Sequence, residues 1–107
     1  MKVQLKKGLL DICVLAALLE EESYGYKLIQ DTGEVIEMSE STLYPILRRL
    51  EENHYLESYH REHNGRLRKY YRITAAGIAN IKRFLEDWEG INRVYEFIKE
   101  KMRNEEK

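Results

Sequence analysis

Between residues 75 and about 102 the apolar side chains Ile78, Ile81, Leu85, Trp88, Ile91, Tyr95, Ile98 and Met102 recur at intervals of 3, 4, 3, 3, 4, 3 and 4. That is close to the ~3.5-residue repeat at which one helix packs along another. Thr74, just ahead of the run, is a residue type that caps helix N-termini. At ~1.5 Å per residue the helix measures about 40 Å, whereas a domain built from the preceding ~70 residues is roughly 25–30 Å across. About half of the helix therefore reaches past anything its own chain can set against it. A second copy of the chain is the simplest cover for such a seam, and a homodimer is expected from length alone.

The residues ahead of this helix predict three shorter ones. Residues 8–19 (GLLDICVLAALL) are apolar on nearly all sides, with Asp11 the one charge; that is the pattern of a helix buried on more than one face. Glu20, Glu21, Glu22 and Ser23 interrupt the run. A short second helix follows over residues 24–32, with Leu28 and Ile29 inward and Gly33 as its stop. A third runs to about Asn53, with Leu43, Ile46, Leu47 and Leu50 spaced for a core. Its start has two solutions. With Ser39 as cap, Pro45 falls in the second turn, where its missing amide should bend the helix. With Thr42 as cap, Pro45 sits among first-turn amides that have no intrahelical partner.

Residues 55–63 and 66–73 are rich in Tyr, Leu, Ile and charge, and Asn64-Gly65 separates them. A two-residue type I′ turn needs positive φ at both positions, which Asn-Gly accepts, so the two runs form a hairpin. Alternation in its second strand puts Tyr71 and Ile73 on the core side and Tyr70 and Arg72 on the other. The net charge of −1 conceals a segregation. Residues 60–73 carry Arg61, Arg66, Arg68, Lys69 and Arg72 against Glu62, while residues 1–38 carry four lysines against seven acids. Polyanion binding follows the local field rather than the sum. Three helices, a basic hairpin and a long helix give a mainly α chain with a small β-hairpin, in the order of a winged helix-turn-helix. Residues 1–73 are expected to form the DNA-binding domain and residues 74–107 a C-terminal dimerisation helix.

In such a domain the third helix lies in the major groove and meets base edges near its N-terminal end. Ser41, Thr42 and Tyr44 stand there; Arg48 follows one turn after Tyr44 on the same face, and Arg49 turns aside. Arg66, Arg68 and Lys69 flank the hairpin turn and suit the minor groove or its phosphates, with Lys27 a further phosphate candidate. Plainer roles compete with each. Arg48 and Arg49 can pair with Glu52 or Glu51 at the surface, and a basic hairpin can simply protect a sheet edge. Tyr24, Tyr26, Tyr70 and Tyr71 suit half-buried packing as well as DNA contact.

Residues 39–51 (SESTLYPILRRLE) resemble the recognition helix of the PadR family of bacterial transcriptional regulators. So do GLLD at 8–11 with the apolar helix after it, SYGY at 23–26, NGR at 64–66, KYYRIT at 69–74, and Gly77. The similarity runs through about nine-tenths of the chain in the correct order, and the single long C-terminal helix resembles the compact branch of the family. The resemblance implies double-stranded DNA as partner, read by the Tyr44 region and the wing bases. It also implies a flat hydrophobic pocket between subunits, where Trp88 and its symmetry mate sandwich a small planar or hydrophobic effector, with Ile12, Ala16, Phe84 and Asn92 nearby. Two readings of Trp88 stand side by side, pocket wall and seam packing, because Phe84 and Tyr95 are bulky enough to fill such a space.

No catalytic constellation is present in the sequence. His60 and His63, three apart on a strand, face opposite ways and make a poor metal clip. His54 and Cys13 have no partners at useful spacing, and there is neither a phosphate-binding glycine loop nor H-E-x-x-H. No enzyme activity, cofactor or metal is expected. No apolar stretch approaches the ~18 residues of a membrane span, residues 12–19 follow Asp11 without a signal-peptide pattern, and Cys13 suits a buried reduced thiol. A cytoplasmic protein is expected, disordered only at its charged end, residues 103–107. The expected function is a dimeric, sequence-specific repressor on a pseudo-palindromic operator, released by an effector. The competing class is a winged-helix protein–protein interaction module without DNA binding. A DNA reader should gather Lys27, Arg48, Arg66 and Lys69 on one face; an interaction module has no such requirement.

Overall fold

The computed structural model describes residues 3–106, with side chains from Gly8 onward. Its elements are α1 (Val3–Ala17), β1 (Ser23–Tyr24), α2 (Gly25–Gly33), α3 (Glu40–Glu52), β2 (Leu56–His63), β3 (Arg66–Ile73) and α4 (Ala75–Glu105). The core forms where the apolar stripe of α3 meets the other helices and the inner face of the sheet. Leu43, Ile46, Leu47 and Leu50 pack with Val14, Leu15 and Leu18, with Leu28 of α2, and with Leu56, Tyr71 and Ile81. Burial of each such side chain contributes about 1.5–3 kcal/mol.

α1 begins ahead of Gly8 and closes at Ala17. The Leu18 and Leu19 amides reach back three residues, to Leu15 and Ala16 at 3.0 and 3.1 Å, which tightens the last turn and ends the helix earlier than its apolar run suggested. Ser23 and Tyr24, read in sequence as a break and a helix start, instead form a third strand. They pair antiparallel with Tyr71 and Tyr70, giving the sheet order β1-β3-β2. Gly33 lies within α2, and Glu34 caps it in right-handed conformation (φ −69°), so the glycine is not used as a left-handed stop.

Ser39, with extended backbone, is the N-cap of α3. Pro45 therefore stands in the second turn and cannot donate to the Ser41 carbonyl. The helix ends in a Schellman arrangement: Tyr55 N–H bonds Leu50 O at 2.9 Å and His54 N–H bonds Glu51 O at 3.0 Å. His54 takes the left-handed position (φ 62°) that glycine usually fills.

β2 and β3 pair continuously from Leu56↔Ile73 to His63↔Arg66. Asn64 (φ 53°) and Gly65 (φ 78°) make the expected two-residue turn. Thr74 then accepts the Gly77 amide at 3.1 Å through its hydroxyl and donates to His54 O at 2.6 Å, so one side chain fastens the end of the α3 loop to the start of α4. Gly77 is buried against the Tyr55 carbonyl, with no room for a Cβ. Beyond Ile81 the helix leaves the core: Leu85, Ile91, Tyr95, Ile98 and Met102 are each more than half exposed. The chain measures 66 × 25 × 22 Å, its long dimension reflecting this projecting rod. Residues 103–105, expected to be disordered, continue the helix, with Arg103 favourably placed in its last turn.

Candidate nucleic-acid interface

A cleft of about 470 Å³ opens between the N-terminus of α2, the outer side of α3 and β3. It is lined by Tyr24, Gly25, Tyr26, Tyr44, Arg68, Lys69 and Tyr71. Gly25 makes the close approach possible, since a Cβ there would stand 2.5 Å from the Tyr44 hydroxyl oxygen. Tyr44 thus has one edge held by α2 while 45% of it remains open to solvent. At the N-terminus of α3, Ser39 Oγ lies 3.0 Å from Ser41 Oγ and 3.2 Å from Thr42 Oγ1. These hydroxyls bond one another and not the helix amides, so the first turn keeps donors free for an anion.

The two arginines of α3 divide as expected. Arg49 turns to α1 and holds Asp11 with a fork, Nη2 to Oδ1 at 2.6 Å and Nε to Oδ2 at 3.3 Å. Neither Glu51 nor Glu52 is its partner; Glu51 accepts the Ser58 hydroxyl instead. The Asp11 pair fixes the roll of α3 against α1. Arg48 is exposed and, among the described residues, makes no ion pair.

In the wing, the Arg68 guanidinium stacks 4.0 Å above the Tyr24 ring, and Lys69 Nζ lies 5.6 Å from the Tyr71 ring. Arg66 is exposed beside the turn. Aromatic faces orient these cations without neutralising them. Tyr44, Arg68 and Lys69 are therefore brought together, with Ser41, Thr42 and Arg48 on the same helix as Tyr44. Lys27 is not brought with them. It hydrogen-bonds Glu21, which raises its pKa, and lines a separate groove with Glu20, Asp31 and Glu34. Sequence reasoning left Tyr26 open between half-buried packing and DNA contact; it lies in the cleft and is 62% exposed. Its signal was the position directly after Gly25, at a helix start.

The effector candidates separate into two places. Ile12, Ala16 and Phe84 line one apolar groove of about 350 Å³ together with Leu9, Cys13, Val35 and Ile36, four residues the sequence reading did not assign to a pocket. Trp88 lies outside it, stacked on Phe84 with centroids 5.8 Å apart and planes 19° apart. Asn92 sits one turn further, beside Trp88, Glu89 and Arg93. Cys13 is half-buried, and burial pushes its thiol pKa up. Among the described residues no group of His, Cys, Asp and Glu is placed to hold a metal, and no helix is long and apolar enough to cross a membrane.

Residues 14–83 match the family model described as the transcriptional regulator PadR-like family. That span is more than half of the chain and takes in the cleft, the wing and the start of α4. The chain belongs to the PadR-like family of transcriptional regulators. It is a DNA-binding regulator and not an enzyme. This PadR-like chain is similar to a transcriptional regulator from Clostridium thermocellum, with 38% identity and a TM-score of 0.77 over 86% of this chain and 94% of that one. It is also similar to a PadR-like transcription factor from Bacteroides fragilis, at 32% identity and a TM-score of 0.79 over 89% and 94%. A PadR family regulator from Clostridium difficile matches at 30% identity and a TM-score of 0.72, covering 78% and 91%.

Proposed function

We propose that this PadR-like regulator is a cytoplasmic homodimeric repressor that reads a pseudo-palindromic operator. The observation that carries the reading is the cleft in which Tyr44 of the recognition helix meets Arg68 and Lys69 of the wing. The N-terminal part of α3 enters the major groove, with Ser41, Thr42 and Tyr44 at base edges and Arg48 on the flanking phosphates. Arg66, Arg68 and Lys69 carry the wing onto the adjacent backbone. Lys27 reaches a phosphate only after leaving Glu21.

Residues 1–73 do the reading and residues 74–107 join two copies, although the buried Ile81 ties the first turns of α4 to the reading unit. The exposed seam of α4 and the apolar groove of α1 give a partner subunit two surfaces to cover. Joined along them, two recognition helices meet major grooves one turn apart, about 34–36 Å along the duplex. Repression needs nothing beyond occupancy of the operator. A planar hydrophobic effector enters between subunits at Trp88 and Phe84, whose stacked rings already form one wall.

Selection of bound duplexes from a random pool tests the reading. An inverted repeat is expected, with Tyr44→Ala losing the sequence preference while staying folded. Absence of salt-sensitive DNA binding by the intact protein would overturn it. For the effector, a planar cationic dye should quench Trp88 fluorescence, and no quenching at high-micromolar dye would contradict the pocket.

A further inference from the structure

The wing has a second face, turned away from the core, from whose hairpin residues the recognition cleft takes only Arg68. Alternation and register place Tyr59, Arg61, Arg68, Tyr70 and Arg72 on it. Tyr70 is only 5% exposed there, although it lies outside the main core. Tyr24 meets it edge-on at 5.5 Å, Tyr59 stacks on it at 5.9 Å, and the Arg61 guanidinium lies 4.1 Å over its ring. Arg68, directly across the ladder from Arg61, rests on Tyr24. Burial pushes the Tyr70 phenol up, but hydrogen bonds from Arg68 and Arg61 outweigh it and leave its pKa lowered. The two guanidiniums thus sit on neighbouring rings, Arg61 over Tyr70 and Arg68 over Tyr24, directly across the ladder from each other.

The carboxylates of this face are committed elsewhere. Glu57 holds Arg72 at 2.6 Å, and Glu22 lies 3.9 Å from Arg72. Among the described residues neither Arg61 nor Arg68 forms an ion pair, and Glu62, across from Leu67, belongs to the opposite face. Like charges directly opposite in a ladder destabilise it. Two planar forks held on adjoining aromatic rings are suited to a tetrahedral oxyanion, which guanidinium binds with paired hydrogen bonds.

We propose that Arg61 and Arg68, positioned by Tyr70 and Tyr24, form a phosphate site on the outer face of the wing that clamps one backbone phosphodiester of the bound duplex. The site rests on the DNA-binding reading above and adds a contact from β2, a strand that reading leaves idle. Arg61 and Arg68 share one phosphate, so their losses are not additive.

The test is the slope of log binding constant against log salt for the full-length protein, read by anisotropy of a labelled mixed-sequence duplex. Each neutralised phosphate contributes about 0.9 to that slope. Arg61→Gln and Arg68→Gln should each lower it by about 0.9, and the double variant should also lower it by about 0.9. Tyr70→Phe, which keeps the ring, should weaken binding about threefold at fixed salt, the scale of one modest hydrogen bond, and should have no effect in the Arg61→Gln protein. Arg103→Gln, at the far end of α4, should leave the slope unchanged. Thermal melts confirm that each variant is folded. An unchanged slope for Arg61→Gln, or losses that add in the double variant, would overturn the shared site while the DNA-binding reading stands. Loss of all duplex binding in the parent protein would instead overturn that reading.

Discussion

The first two turns of α4 and the rest of that helix carry the same apolar rhythm and meet opposite surroundings. Up to Ile81 the helix is capped by Thr74, sealed at Gly77 against the Tyr55 carbonyl, and joined to the core. From Leu85 onward the spacing continues without a break, yet its residues stand in solvent, and Val94 and Phe97 add exposed apolar surface beside them. Among the described residues, the chain's own core covers the first stretch and leaves the second exposed. Periodicity marks what a helix needs to bury; only the fold shows whether its own chain supplies the cover. Apolar exposure of this extent marks an interaction surface.

Substitutions in the two stretches, and in the core below them, should separate folding from assembly. The largest effect belongs to the core. Leu47→Ala, at a position 1% exposed, should destabilise the folded unit by roughly 2–5 kcal/mol in urea unfolding, with no change specific to assembly. Ile91→Glu should leave helix content intact but strand a charge in the proposed seam. Dimer dissociation should rise at least about a hundredfold, a cost on the order of 3 kcal/mol, visible as a mass shift in light scattering. Thr74→Ala removes the cap that starts the helix and should cost about 1 kcal/mol in thermal or urea unfolding. His54→Gly should act in the opposite direction, stabilising by about 1 kcal/mol, because the left-handed position is strained for any side chain but glycine. Leu67→Ser, at an exposed wing position, should change stability by no more than about 0.5 kcal/mol.

Features written in short-range chemistry were legible in the sequence. Asn64-Gly65 announced its turn through two positive φ angles, Thr74 announced a cap, and the 3-4-3 stripe of α3 announced its buried face. The proposed recognition-helix residues and wing bases take their places once those elements are in order. What stayed hidden depends on distant partners. Strand β1 is two residues long and exists because β3 offers it a ladder, so no local pattern betrays it. Tyr70 looked solvent-facing by alternation and is buried by Tyr24 and Tyr59 from two other strands. Lys27 looked like a free cation until Glu21, six residues earlier, folded back onto it. Gly33 looked like a helix stop and is an ordinary helical residue.

Sedimentation equilibrium of the unmodified chain, from low to high micromolar concentration, bears most directly on the cover supplied to the second stretch of α4. A mass twice the 12.8 kDa of one chain is expected across that range. A single-chain mass at every concentration would leave the exposed rod without a partner and contradict the proposed assembly.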